Sequence, residues 1–277
     1  MPVWNRRHFV QACLGGLAAL PLARVRALPG GAPACRLSAE QTEGPYYLDR
    51  ALLRQDITEG KQGLPLTLEF EVLDSRTCRP LKDVALEIWH CDAQGAYSGF
   101  GHDHGGGPGG GPGMPPPPPG PPPRGAMPPG GPRPGGGHPP HAQASDALTF
   151  LRGAQLADAR GKLAFHTIFP GYYAGRCNHI HLKLHVGGMA QDGHYRGGHT
   201  VHTGQVFFRE EDTRAAMATA PYRRERLART TVDQDDIYAS QHGAQSVAAI
   251  TRDHQQGPWR ARLTLAIDPG QTSREGS

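Results

Sequence analysis

Hydrophobic and polar residues alternate along most of this chain with the period-2 rhythm of strands. Residues 64–73 carry Leu-x-Leu-x-Phe-x-Val, which predicts a half-buried strand. A turn over 75–80 leads into Val84-Ala-Leu-Glu-Ile-Trp-His-Cys91, whose β-branched and aromatic content predicts a second. Leu148-Thr-Phe-Leu-Arg-Gly153 and Gly161-Lys-Leu-Ala-Phe-His-Thr-Ile168 predict two more around the turn residues 158–161. In Asn178-His-Ile-His-Leu-Lys-Leu-His185 the alternation sets His179 and His181 on one face and Ile180, Leu182, Leu184 and Val186 on the other. Thr203-Gly-Gln-Val-Phe-Phe208 and Trp259-Arg-Ala-Arg-Leu-Thr-Leu-Ala-Ile267 predict further strands, and residues 210–218 have the composition of a short helix. Short strands separated by turns predict an all-β fold, an antiparallel β-sandwich with long loops and one or two short helices.

Two stretches break the rhythm. Asn5-Arg-Arg-His-Phe-Val10, a short apolar run over 12–22 and Val25-Arg-Ala27 together read as a twin-arginine signal peptide, 1–27, cleaved after Ala27. Export through the twin-arginine translocase to the periplasm or the extracellular space is therefore expected. That route carries folded proteins and suits a metal loaded in the cytoplasm. No other segment approaches the roughly 20 apolar residues of a spanning helix. Residues 105–141 are almost wholly Gly and Pro and cannot form a packed core. Because strand-like sequence resumes on both sides, this tract reads as a disordered insertion in one domain, 28–268, with a frayed polar tail at 269–277. His102 and His104 beside it read as solvated low-complexity sequence.

The tract also explains why only 37% of the 277 residues are hydrophobic; the remainder has enough for an ordinary core. A net charge of +4, with arginines scattered rather than striped, does not suggest nucleic-acid binding. Four cysteines remain after cleavage, and an oxidising compartment favours a disulfide, Cys35 to Cys78 first. Cys91 and Cys177 flank candidate site motifs and either pair or stay free.

His179 and His181 face one way, as metal ligands on a strand do, although ordinary solvated strands also carry such pairs. Phe169-Pro-Gly-Tyr-Tyr-Ala-Gly-Arg176 lies just before them. Upstream, the strand ending at Cys91 runs into turn residues Asp92 and Gly95, which present Tyr97 where the sheet opens. A tyrosine there could equally cap the core through a hydrogen-bonded hydroxyl.

Tyr97 in Trp89-His-Cys-Asp-Ala-Gln-Gly-Ala-Tyr-Ser98, Tyr173 in Pro170-Gly-Tyr-Tyr-Ala-Gly-Arg176, and the His179-Ile-His181 pair resemble the four metal ligands of the intradiol ring-cleavage dioxygenases. The resemblance extends in order to Thr42-Glu-Gly-Pro-Tyr-Tyr47, Phe150-Leu-Arg-Gly153 and Thr203-Gly-Gln-Val-Phe-Phe208. It implies a non-haem Fe(III), for which two phenolates are hard anionic donors and two imidazoles complete the protein's share. Neither a zinc site with a catalytic water nor a 2-His-1-carboxylate Fe(II) site calls for two phenolates. It further implies a catechol-type substrate and O2, with cleavage between the two hydroxylated carbons to a muconate-type diacid. Tyr173 would leave the metal and take up a substrate proton while Tyr97 stays. Arg176 matches the arginine that stabilises charge developing on the substrate, and Gln205 matches a glutamine behind it. Gly44, Pro45 and Tyr46 would wall the pocket. Tyr172 rivals Tyr173 as ligand, with the Tyr-x-Gly-Arg spacing favouring Tyr173, and His185 has no role in the family pattern. The exported signal and the Gly/Pro insertion fit an exported branch and leave the choice among catechols, and the oligomeric state, open. Two other readings are a non-enzymatic exported sandwich module that keeps the metal site, and a cupin-like metalloenzyme, which lacks the carboxylate it needs close after His181.

Overall fold

The computed structural model describes residues 35–100, 142–222, 227–252 and 258–275. The expected signal peptide and Gly/Pro insertion lie outside them. Among the described residues, eight strands form two four-stranded sheets. The first orders β4 (Lys162–Ile168), β1 (Pro65–Asp74), β8 (Trp259–Ile267) and β7 (Ala249–Arg252). The second orders β3 (Arg152–Leu156), β2 (Ala85–Trp89), β5 (His179–Gln191) and β6 (His194–Phe207). Helices α1 (Glu210–Met217) and α2 (Asp236–Ser240) lie in the long connection after β6. The all-β sandwich expected from the alternation is the fold observed.

Period-2 residues build the core between the sheets. Leu66, Leu68, Phe70 and Val72 of β1 and Leu263 and Leu265 of β8 meet Leu86, Ile88, Ile180, Leu182 and Leu184 of the second sheet in one cluster. At roughly 25 cal/mol per Å² of apolar surface removed from water, this contact is the main driving force of the fold.

The structure departs from the sequence expectation in four places. β1 and β8 pair in parallel, Leu66 opposite Trp259. Parallel neighbours need a long crossover, and here the whole second sheet lies between them in sequence. Residues 148–151 are loop and turn rather than strand, with Leu151 at φ 57°. β6 begins at His194, nine residues before the predicted start at Thr203 by direct numbering, because Asp192 and Gly193, both at positive φ, close a two-residue hairpin onto β5. The tail is docked as far as Glu275: Ser273 N donates to Thr200 O (2.9 Å) and its hydroxyl to Thr203 Oγ1 (2.9 Å). Cys35 and Cys78 form the expected disulfide, while Cys91 and Cys177 are buried and not joined in a disulfide.

The second sheet is covered on its outer side as well. Residues 41–54 run across it: Gln41 N donates to Thr203 O (3.1 Å), Ala51 N to Glu87 Oε1 (3.2 Å), and Leu53 bridges Ala154. Every residue of β2 is buried as a result.

Candidate functional site

Beyond β2 the chain turns sharply, because Asp92 Oδ1 accepts from Gln94 N (2.9 Å) and Ala96 N (3.0 Å). On the other side of Tyr97, Arg152 grips Ser98, with Nε to Oγ at 2.9 Å and Nη2 to the carbonyl at 2.8 Å. Tyr97 is thereby held between two tethers. The 169–176 loop lies directly on this turn. A Cβ at Gly171 would run into the Asp92 carbonyl, and Asn178 Nδ2 donates to Pro170 O and Gly171 O, both at 2.9 Å.

The two tyrosines of that loop point to different places. Tyr172 points away and donates to Leu227 O (3.0 Å), whereas the Tyr173 hydroxyl lies 3.3 Å from His179 Nε2. His179 and His181, the first and third residues of β5, bring their Nε2 atoms within 3.1 Å of each other. The ring of Tyr97 stands 5.8 Å from that of Tyr173 and 6.3 Å from that of His181. Four sequence-predicted side chains thus converge on one small volume. Among the described residues no group of three or more His, Cys, Asp and Glu is arranged to hold a metal. A metal here would depend on the phenols.

The remaining predicted residues surround this volume. Tyr46 stacks on Tyr97 at 4.6 Å and lies edge-on to Phe100 and Tyr173. Gly44, at φ 74°, approaches His181 so closely that a Cβ would come within 2.9 Å of its Cε1. Only glycine combines that backbone conformation with that approach. Pro45 is fixed through its carbonyl, which accepts from Ala142 N (2.9 Å). Gln205 sits opposite His181 in the β5–β6 register and accepts from Arg176 Nη2 at 2.6 Å. Gln205 Nε2 in turn donates to Thr42 O (2.8 Å). His185 lies further along β5, 3.4 Å from Glu87, outside the cluster.

Burial sets the charge state of the group. It pushes the Tyr97 hydroxyl well above the ordinary phenol range, Tyr173 and Cys91 adding to the shift. It pushes Tyr173 up to about 12 against the pull of Arg176. It holds both imidazoles well below their usual range, with Arg176 reinforcing the effect at His179 and His179 doing so at His181. The protein alone therefore presents two neutral imidazoles and two protonated phenols, and only a cation among them would draw the phenol protons off.

The hydrogen bonding is consistent with such a cation. His179 Nδ1 lies 2.7 Å from Cys177 O and donates to it, so Nε2 is a lone pair aimed inward. His181 Nδ1 and the Tyr97 hydroxyl are buried without a well-formed hydrogen bond among the described residues. Whichever tautomer His181 adopts, one ring nitrogen is unsatisfied. Buried polar atoms of this kind are rare in native proteins and call for a missing partner. The donor set fits a hard trivalent ion such as ferric iron.

The sandwich that carries these residues is shared with solved structures. An intradiol ring-cleavage dioxygenase from Tetranychus urticae superposes with a TM-score of 0.67 at 28% identity, covering 87% of this chain and 98% of that one. A second solved dioxygenase matches at 0.66 and 29% identity with the same coverage. This chain is thus similar in structure to an intradiol ring-cleavage dioxygenase. No protein-family model and no curated protein matches the chain.

Set beside this intradiol likeness, the sequence motifs missed three contributors. Trp89 stacks on His181 at 5.1 Å with 7° between the planes. Arg152 fixes the Tyr97 turn from a buried position. Asp235, buried and 59 residues from Arg176, accepts from Arg176 Nε at 2.9 Å. Trp89 and Arg152 lay inside motifs already marked. Asp235 carried only the local signature of a helix start.

Proposed function

We propose that this protein is an Fe(III)-dependent intradiol dioxygenase that cleaves catechol-type aromatics with O2 to muconate-type diacids. Its similarity to intradiol dioxygenases supports ring cleavage of catechols at the level of the family. The observation that carries the iron reading is the convergence of Tyr97, Tyr173, His179 and His181, with the Nε2 atoms of both imidazoles turned inward and the buried Tyr97 hydroxyl lacking a well-formed hydrogen bond among the described residues. When bound there, ferric iron supplies the Lewis acidity that ionises the phenols and activates a chelated catechol towards O2.

The chain's own residues then have distinct tasks. Tyr173, only partly covered and on a loop, can swing from the cluster and accept a catechol proton on its hydroxyl oxygen. Tyr97, tethered on both sides, stays in place. Tyr46 and Phe100 give the aromatic substrate an apolar wall and exclude water from the reacting face. Arg176, aimed by Asp235 and Gln205, stabilises negative charge that grows on the ring oxygens during cleavage. Export is part of the proposal, supported by the Cys35–Cys78 disulfide, which suits an oxidising compartment.

The test is colour and oxygen uptake. Protein purified with about one iron per chain should show a broad visible phenolate-to-iron band, shifted or bleached by Tyr97→Phe, and should consume O2 with at least one of catechol, hydroxyquinol and protocatechuate. A coloured protein that consumes none of them would favour a binding module that keeps the metal. A colourless protein that takes up no iron would overturn the reading.

A further inference from the structure

We infer that Asp235 is a positioning residue that sets the orientation of Arg176 and, through the Cys177 peptide, of His179; the catalytic part of this inference rests on the function proposed above. The Asp235 side chain is fully buried. Its Oδ2 accepts from Arg176 Nε at 2.9 Å and from Cys177 N at 2.8 Å. Its Oδ1 accepts from Ile237 N and Tyr238 N, both at 3.0 Å, and so caps α2. All four acceptor interactions are well formed, and each oxygen serves a different end of the site.

The geometry restricts Arg176 in the plane of its guanidinium. Nε is held by Asp235 and Nη2 by Gln205, so the Nη1 hydrogens remain for a ligand. The same carboxylate oxygen fixes the amide of Cys177, whose carbonyl accepts from His179 Nδ1 at 2.7 Å. One buried group therefore aims the substrate-facing donor and the backbone that orients an imidazole. Because Asp235 also balances the charge of Arg176, the pair offers a directed hydrogen-bond donor rather than a net cation. Such a donor favours charge that develops in the transition state over a substrate already charged.

Helix capping alone would be a sufficient structural reason for Asp235, and one substitution separates the two roles. Asparagine caps helices about as well as aspartate. In Asp235→Asn the oxygen can keep the α2 cap, but the amide nitrogen then faces the Arg176 and Cys177 donors. Positioning predicts that kcat falls roughly 10- to 100-fold, the usual cost of losing a group that orients a site, while KM changes by less than about threefold because ground-state binding is little affected. Iron content should match native protein, and the Asp235→Asn change should add little to the loss already caused by Arg176→Gln. A crystal structure of the variant should show the guanidinium displaced from Gln205. A kcat within twofold of native with Arg176 unmoved would overturn the inference. So would an undiminished extra loss in the double variant. If the native protein cleaves no catechol, the function proposed above fails, and the crystallographic comparison still decides whether Asp235 orients Arg176.

Discussion

The two sheets share a core and differ on their outer faces. On the first sheet, Glu69 pairs with Arg260 and Arg262, side chains that are 27%, 39% and 61% exposed. On the second, Lys183 and Glu43 form an ion pair at 2.9 Å with exposures of 4% and 3%, and Lys183 Nζ lies 3.8 Å over the Tyr47 ring. Both faces carry polar residues at alternate positions. Only one of them meets water. The difference is residues 41–54, which lie on the second sheet and convert its polar face into an interior in which His181, Gln205 and Trp89 are held by packing. An antiparallel sheet can thus carry a site in mid-strand when a separate segment supplies the second wall.

That contrast fails or sharpens first at Lys183. Replacing it with methionine removes the cation beside a buried carboxylate and should cost about 3–5 kcal/mol, whereas removing both charges with Glu43→Leu should restore much of the loss. Urea unfolding of the single and double variants measures it. A cost below about 1 kcal/mol, as surface pairs give, would mean that the covering segment admits water.

Acid should separate the sheets next. His202, buried on β6, is held down to about 4 by burial, opposed by Glu40. A histidine depressed when folded is neutral in the native state while the unfolded chain takes up a proton near 6.5, so stability is complete above that pH and falls between about 6.5 and 4. The span corresponds to about 3 kcal/mol as an upper bound. In His202→Met the loss of stability over that window should be visibly shallower in urea midpoints taken at each pH. An unchanged slope would show that His202 is solvated. Gly44→Ala should be smaller in stability, about 1–2 kcal/mol for an L-residue in the left-handed region, yet should lower catechol turnover because the added carbon pushes on His181. Melting temperature and kcat, measured together, check it.

Much of this could be read from residue order, and the reason is local. Strand periodicity is a property of neighbouring residues, so Leu66 to Val72 and the His179, His181 face were legible. Tyr97 and Arg176 were legible because their motifs are short and contiguous. Four kinds of feature were not. Lys183 in Leu182-Lys-Leu184 has the pattern of a solvent-facing position, and only the chain folded over it says otherwise. The Asp235 contact joins segments 59 residues apart. The parallel β1–β8 pairing is a matter of topology, to which alternation is indifferent. The Asp192-Gly193 hairpin belongs to a fourth kind, a strong turn signal present in the sequence but hidden by the glycines around it.

The weakest expected effect lies on the open sheet. Arg262 and then Arg260 hold the Glu69 carboxyl below its usual range despite some burial. A depressed carboxylate contributes stability above the unfolded pKa and loses it as pH falls through the folded one, the same acid direction as His202. Because these side chains are well exposed, solvent and salt screen the pair, and Glu69→Gln should cost less than about 1 kcal/mol. The effect should shrink further in 1 M salt, where charges are screened within roughly 3 Å. The Lys183→Met cost should be nearly insensitive to salt, since the ions cannot reach it. If both variants responded equally to salt, the buried and exposed faces of the two sheets would be electrostatically alike, and the distinction that makes one of them a site would have to come from shape alone.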